Sequence, residues 1–288
     1  MNLKIITSKQ RKSEPEPSIL YVVGTPIGNL NDISERCKNL LTNVSMIACE
    51  DTRHTKHLLS AFNIKNKLIS FNEYNSSIKT DFILNKLKEG LSIALVSDAG
   101  LPAISDPGEY LVKKVLDNSF EVICAPGPCA ALTGLVSSGL PSENFLFMGF
   151  LPKKNVARKS YYNIIADNVF TTIVYESPKR VKTFLKELSN YCEDSRKIHI
   201  ANELTKKYEK HWNGKLKNIT EEIEKIQIKG EFTIIIEGKR IKENNLQDLQ
   251  SLKKDLEELT NLGLKRSAAA SYLSNKNRIP KNIIYNLE

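Results

Sequence analysis

Four short apolar runs, each ending on a small, polar or proline-containing loop, constrain this chain more than any other feature. Ile19-Leu20-Tyr21-Val22-Val23 leads into Gly24-Thr25-Pro26-Ile27-Gly28-Asn29-Leu30, and Val44 to Cys49 leads into Glu50-Asp51-Thr52-Arg53-His54. Ile93-Ala94-Leu95-Val96 leads into Ser97-Asp98-Ala99-Gly100-Leu101-Pro102, and Phe120 to Cys124 into Ala125-Pro126-Gly127-Pro128-Cys129. Between them Ile33 to Leu41, Asp81 to Glu89 and Tyr110 to Leu116 have the apolar spacing of helices, the second closed by Gly90. Strands alternating with helices predict an α/β fold whose sheet is parallel or mostly parallel and covered on both faces. Such sheets bind ligands at the carboxyl ends of their strands. The four loops are therefore predicted to meet on one edge.

Pro141 to Asn144 has the composition of a linker, and a second α/β unit follows it. Its strands are predicted at Phe145 to Phe150, Phe170 to Tyr175, Lys197 to Ala201 and Phe232 to Ile236, with helices near Ala157 to Ala166 and Lys179 to Tyr191. From Asn245 the chain turns helical and basic, with Leu252, Leu256 and Leu259 on one stripe. The expected organisation is a leader (residues 1–18), an N-terminal α/β domain (19–141), a second α/β domain (142–240) and a basic helical C-terminal module (241–288).

At 288 residues the chain is long enough to bury substantial cores. No run approaches the roughly 20 apolar residues that span a bilayer, and residues 1–18 lack the apolar centre of a signal peptide. A soluble, cytoplasmic protein is expected. Its five cysteines are odd in number, and neither the Cys124 to Cys129 spacing nor any Cys/His cluster fits a zinc site. Free thiols and no structural metal are the expectation. The net charge of +9 fits attraction to a polyanion equally with a generally basic, solvated surface.

Each loop taken singly has an ordinary reading. Gly24 and Gly28 fit neither GxGxxG nor GxxxxGK[ST], and a plain strand-to-helix turn stiffened by Pro26 accounts for them. Asp51 or Thr52 can cap a helix, yet capping does not explain Arg53 and His54, which suit phosphate contact and proton transfer. Asp98 serves a cap or a ligand equally well, while Ala99 and Gly100 leave room for a ligand near the backbone. Asp106-Pro107-Gly108 looks like a turn and helix start.

In combination and order, these segments resemble the ribosomal RNA small-subunit methyltransferase I family, a branch of the tetrapyrrole-methylase (class III) methyltransferases. The likeness continues through Pro126-Gly127-Pro128-Cys129-Ala130-Ala131, Gly149-Phe150-Leu151-Pro152, Tyr175-Glu176-Ser177, Glu203-Leu204-Thr205-Lys206 and Gly230-Glu231-Phe232, covering the chain from Leu20 onward. The resemblance implies two α/β domains with S-adenosylmethionine folded into the cleft between them, a homodimer, and methylation of a cytidine 2′-hydroxyl in the decoding region of small-subunit ribosomal RNA, free or in the assembled subunit. By motif, Ser97, Asp98, Ala99, Gly100, Pro126 and Gly127 are expected to line one wall of the cofactor cleft. Met148, Gly149, Phe150, Asn202, Glu203, Gly230, Glu231 and Phe232 are expected to line the other.

Thr25, Pro26, Gly28, Asn29 and Thr52 are expected to face the acceptor nucleotide, with Asp51, Arg53 and His54 as the catalytic group. Asp51 or His54 would orient or deprotonate the hydroxyl while Arg53 holds a flanking phosphate. Asn202 stands where the family pattern has arginine, and Leu101 where it has threonine. The segment from Lys265 to Tyr285 follows the pattern less tightly; it fits a basic module against RNA or a docking pair of helices. Two other classes remain open: a methyltransferase of this fold acting on a tetrapyrrole or other small molecule, and a basic RNA-binding assembly factor without activity.

Overall fold

The structure, a computed structural model, describes residues 14–240, 245–277 and 279–287. Most of the expected leader, residues 1–13, and the first residues of the C-terminal module, 241–244, lie outside the described residues. The chain divides into two compact units, one ending at Gly238 and the other starting at Lys239.

The first unit holds two five-stranded sheets. The N-terminal sheet comprises β1 (Ile19–Val23), β2 (Met46–Cys49), β3 (Leu68–Ser70), β4 (Ile93–Val96) and β5 (Glu121–Ala125). Their order is β3-β2-β4-β1-β5 and every pairing is parallel. The connecting helices are α1 (Glu35–Asn43), α2 (Thr52–Ala61), α3 (Ser76–Lys88) and α4 (Glu109–Asp117), and α5 (Ala130–Ser138) follows β5. Alternate residues of each buried strand serve opposite faces. Tyr21, Ile47 and Ala94 pack with Leu40 and Leu59 of α1 and α2. Leu20, Ala48 and Leu95 pack with Ile83 and Leu111 of α3 and α4. Burial on both faces is why β1, β2 and β4 are continuous apolar runs, while the edge strands β3 and β5 are only partly buried.

The second sheet is mixed. It comprises β6 (Phe145–Phe150), β7 (Thr171–Glu176), β8 (Lys197–Asn202), β9 (Lys210–Lys215) and β10 (Phe232–Ile236), in the order β6-β7-β10-β8-β9. Only β6 and β7 run parallel; β10 is antiparallel to both β7 and β8, and β8 and β9 form a hairpin. Sequence patterning does not anticipate β9, since Lys-His-Trp-Asn-Gly-Lys is an exposed edge strand with no apolar stripe. One face of this sheet is covered by α6 (Asn155–Asp167), α7 (Val181–Leu188) and α8 (Leu216–Lys225), through Tyr162, Phe184 and Ile219. The other face is covered by α5, whose Ala131 and Leu135 pack on Ile173 and Ile235. Gly134 makes that approach possible, because a Cβ there would lie 2.8 Å from Thr233 Cγ2. The helix that ends the first α/β segment thus forms the floor of the second.

The second compact unit contains α9 (Asn245–Asn261), α10 (Arg266–Asn277) and α11 (Lys281–Tyr285). Leu252 and Leu256 of the predicted stripe are buried against Ala269, Ala270, Leu273 and Ile284, with Leu259 packed beside them. Among the described residues no helix is long and apolar enough to cross a membrane.

Candidate active site

The loops at the carboxyl edge of the first sheet are tied to one another mainly through backbone. Thr25 and Gly100 exchange two main-chain hydrogen bonds, of 2.9 and 3.1 Å, and the buried Thr25 hydroxyl donates to the Ser97 carbonyl at 3.3 Å. Gly24 lies directly on Gly127, so that a Cβ on Gly127 would come within 2.7 Å of the Gly24 Cα. Such an approach of two chains requires glycine on both sides. The Asp51 amide donates to the Asp98 carboxylate at 3.2 Å, which draws the loop after β2 into the same assembly.

Above this edge lies a cavity of about 450 Å³. Its first wall is the run from Asp98 to Leu101 with Ile104, Ser105 and Asp106, together with Ile27, Glu50 and the start of α5 at Cys129 and Ala130. The second sheet supplies the opposite wall through Phe150, the segment from Tyr175 to Pro178, Leu204 and the segment from Glu231 to Thr233. Tyr175 ties the two walls together. Its hydroxyl accepts the Ala131 amide at 2.9 Å, and its ring meets Phe147 and Phe150 at 5.1 and 5.5 Å.

The cavity is apolar in its walls and acidic in its functional groups. Burial, with the neighbouring Glu50, Asp98 and Glu231 carboxylates, raises Asp106 to about 6, against a hydrogen bond with Ser97 that favours the charged form. Burial also raises Glu50, with the charges of Asp98 and Asp51 adding to it. Glu176 is buried but ion-paired with Arg180 at 2.7 Å. Among the described residues no three His, Cys, Asp or Glu side chains converge to hold a metal ion, and all five cysteines are free thiols.

Of the residues predicted for the cofactor, Asp98, Ala99, Gly100, Phe150, Glu231 and Phe232 line the cavity. The others stand behind the lining. Ser97 is buried, and Pro126 accepts a hydrogen bond from the Cys37 thiol through its carbonyl. Met148 packs on the second core, and β6 bulges there so that Gly149, at φ +59°, turns toward Ser105. The Asn202 amide donates to the carbonyls of Lys229 and Glu231, each at 3.0 Å. Glu203 accepts the Glu231 amide at 3.0 Å, an arrangement that needs Gly230, where any Cβ would overlap the Glu203 carboxylate.

None of the residues predicted to meet the acceptor lines the cavity. Thr25 and Pro26 are buried, while Gly28 and Asn29 are exposed where the loop after β1 meets the segment Leu204 to Lys206. Asp51 caps α2 by accepting the Arg53 amide at 2.8 Å, and Thr52 opens the helix. The Arg53 guanidinium, 86% exposed, grips the Asp51 carboxylate at 2.6 and 3.1 Å and holds it well below the usual carboxylate range. His54 is exposed one residue further on. Sequence reasoning passes over Glu50, Ser105, Asp106 and the cavity-lining role of Tyr175 and Glu176. The available signal was positional: Glu50 directly follows β2, Ser105 and Asp106 lie in the loop after β4, and Tyr175 and Glu176 end β7.

The family of tetrapyrrole (corrin/porphyrin) methylases matches residues 19–220. The chain is 39% identical over 269 residues to the ribosomal RNA small subunit methyltransferase I of Synechocystis sp., covering 93% of this chain and 96% of that one. It is 40% identical over 275 residues to the protein of that name from Buchnera aphidicola, covering 93% and 94%, and 42% identical over 230 residues to that of Escherichia coli O157:H7, covering 79% and 80%. Among solved structures, cobalt precorrin-4 methyltransferase, a cobalamin biosynthetic enzyme, superposes with a TM-score of 0.57 at 13% identity, over 76% of this chain and 95% of that one. Uroporphyrin-III-C-methyltransferase from Thermus thermophilus gives 0.55 at 13% identity, over 76% and 94%. At such low identity these two speak for the fold alone. The match over most of its length and the identity to these relatives show that the chain belongs to the tetrapyrrole methylase family, in its ribosomal RNA small subunit methyltransferase I branch.

Proposed function

We propose that this protein transfers a methyl group from S-adenosylmethionine to the ribose 2′-hydroxyl of a cytidine in the decoding region of small-subunit ribosomal RNA, as a cytoplasmic homodimer. The observation that carries this reading is the acidic, apolar-walled cavity between the two sheets, in a chain of this family. The donor set fits the cofactor. S-adenosylmethionine carries a net positive charge, on its sulfonium and ammonium, together with a flat purine and a ribose diol. Glu50, Asp98, Asp106 and Glu231 offer carboxylates for the cation and hydroxyls, among Ile27, Leu101, Ile104, Phe150, Leu204 and Phe232, which suit the purine.

When bound, S-adenosylmethionine supplies an electrophilic methyl group on a good leaving group, so the protein's task is alignment and exclusion of water. Asp98 to Gly100 and Glu231 to Thr233 hold the ligand from opposite walls. Tyr175 fixes the width between them through its bond to α5. Thr25, Pro26, Gly28, Asn29 and Thr52 bound the place where the ribose arrives, and Arg53 engages a flanking phosphate. Asp51 or His54 orients the hydroxyl. Glu50, a carboxylate of the cavity lining whose proton affinity is raised by burial beside Asp98, would serve with them as a base. Leu132 and Val136 lie exposed on α5, the latter by 80%, and support pairing with a second copy.

The test is transfer of labelled methyl from S-adenosylmethionine to undermodified small subunits and to their naked RNA, with mapping of the labelled nucleotide. Label on one cytidine ribose is expected. Label on a base would overturn the 2′-hydroxyl assignment, and methylation of a tetrapyrrole without RNA would overturn the substrate class. Sedimentation at micromolar concentration tests the dimer.

A further inference from the structure

The second wall ends in a turn that presents an aromatic ring and lysines to solvent beside the cavity. Leu204 lines the cavity, and Thr205 and Lys206 meet the Gly28 backbone of the opposite half. Two residues further on, Tyr208 is 68% exposed, with the Lys207 ammonium 5.6 Å from its ring centre. Lys210 and Lys215 continue the exposed positive charge along β9.

The turn that carries Tyr208 is held from within. Glu203 and Thr205 adopt φ of +55° and +65°, unusual for non-glycine residues. The Thr205 amide donates to Glu209 at 2.6 Å, and the Glu209 amide donates back to the Lys206 carbonyl at 3.1 Å. The other Glu209 oxygen meets His211 at 2.6 Å, and His211 meets the buried His199 at 3.0 Å. Lys206 is occupied by Glu203 and Glu231, at 2.8 and 3.0 Å. Glu209 is exposed between Tyr208 and Lys210 and is kept ionised by its bonds to His211 and the Thr205 amide, so that its charge is directed into the turn. Lys207, Tyr208 and Lys210 are exposed beside it as a ring flanked by cations.

We infer that Lys207, Tyr208 and Lys210 form a stacking platform for single-stranded RNA, on which a base next to the acceptor nucleotide lies on the Tyr208 ring while the two lysines take its phosphates. A planar ring and neighbouring cations on a rigid turn are what a splayed single strand requires, and the +9 net charge agrees with a polyanionic partner. The acidic cavity repels phosphate, so the strand runs along this rim and inserts only the ribose that reacts. The inference rests on the proposed RNA substrate.

The experiment compares wild type, Tyr208→Ala, Tyr208→Phe and the double variant K207A/K210A. The probes are a labelled single-stranded RNA of about 12 nucleotides, methyl transfer to undermodified small subunits, and calorimetric titration with S-adenosylmethionine. Tyr208→Ala is expected to weaken RNA binding and raise KM for the subunit about tenfold, with cofactor affinity unchanged, while Tyr208→Phe restores both. The lysine variant is expected to flatten the logarithmic salt dependence of RNA binding by about 1.4, roughly 0.7 for each phosphate left without its lysine. Unchanged RNA affinity in Tyr208→Ala, against a wild type that binds and methylates RNA, overturns the platform alone. A wild type that neither binds nor methylates RNA overturns the platform and the function together. A change of sedimentation in Tyr208→Ala would assign the ring to an interface between copies instead.

Discussion

The two walls of the cavity are built by different means. On the first, main chain lies on main chain: Gly24 on Gly127, and Thr25 paired with Gly100 through both of its hydrogen-bonding groups. On the second, side chains do the holding, with Asn202 and Glu203 gripping the strand-end backbone and Lys206 bridging two carboxylates. Backbone packing of the first kind fixes positions to within the size of a methyl group and tolerates no substitution. Side-chain bracing of the second kind is softer, because a partly exposed ion pair contributes only about 0.2–1 kcal/mol. The first wall suits a feature that every turnover must meet identically, and the second suits a feature that adapts to its partner.

The most severe test of this contrast is Gly127→Ala. The added methyl would drive the two loops apart, at a cost of about 3 kcal/mol, and S-adenosylmethionine affinity is expected to fall at least tenfold; urea denaturation and calorimetry measure the two. Wild-type stability in this variant would remove the distinction between the walls.

Next in size is Asp106→Asn. The fold raises this carboxyl to about 6 from 3.8, so the folded state favours its neutral form. That stabilising preference is complete below pH 4 and is lost as pH rises from about 4 to about 6, after which the wild type carries a buried charge. The asparagine variant is therefore expected to match wild type at pH 4 and to exceed it by about 1–2 kcal/mol at pH 7.5, after allowance for partial solvent screening. Its affinity for the cationic cofactor is expected to fall at the same pH. Melting curves at the two pH values check the sign.

Lys206→Met probes the softer wall and is expected to cost about 1 kcal/mol or less in denaturant. Destabilisation comparable to that of Gly127→Ala would show the two walls to be equally rigid. The smallest effect expected is that of Thr205→Gly, a gain of about 0.5 kcal/mol from relief of its left-handed backbone, read from a shift in the melting temperature.

Four strands of the first sheet were legible in the sequence as apolar runs with a turn at the end, most plainly β1, β2 and β4, which are buried throughout, whereas β3, three half-buried residues at the sheet edge, escaped. The convergence of the loops followed from alternation alone, whereas the choice of Asp98 to Gly100 among their residues came from the family resemblance. What escaped at the site were features made by parts far apart in the chain. Glu50 and Asp106 owe their raised proton affinity to burial and to carboxylates that the fold brings from other loops, Asp98 beside Glu50, and Glu50, Asp98 and, least of these, Glu231 beside Asp106. β9 escaped for the opposite reason, since an exposed edge strand buries too little to show a period. Asn202, standing where the family pattern has arginine, is explained by its neighbours: two carbonyl oxygens ask for two N–H donors, and its amide provides both.

The clasp between Arg53 and Asp51 has a thermodynamic corollary. The guanidinium lowers the proton affinity of Asp51 only while it sits on that carboxylate. An anion that draws Arg53 away therefore lets the proton affinity of Asp51 recover, and a proton on Asp51 in turn releases Arg53 for the anion. Reciprocity makes the two effects equal in size. An ordinary aspartate, with a pKa of about 3.9, is already ionised at neutral pH, so there an anion that captures Arg53 leaves Asp51 a bare carboxylate. Phosphate capture at the start of α2 thus competes with the clasp instead of drawing in a proton.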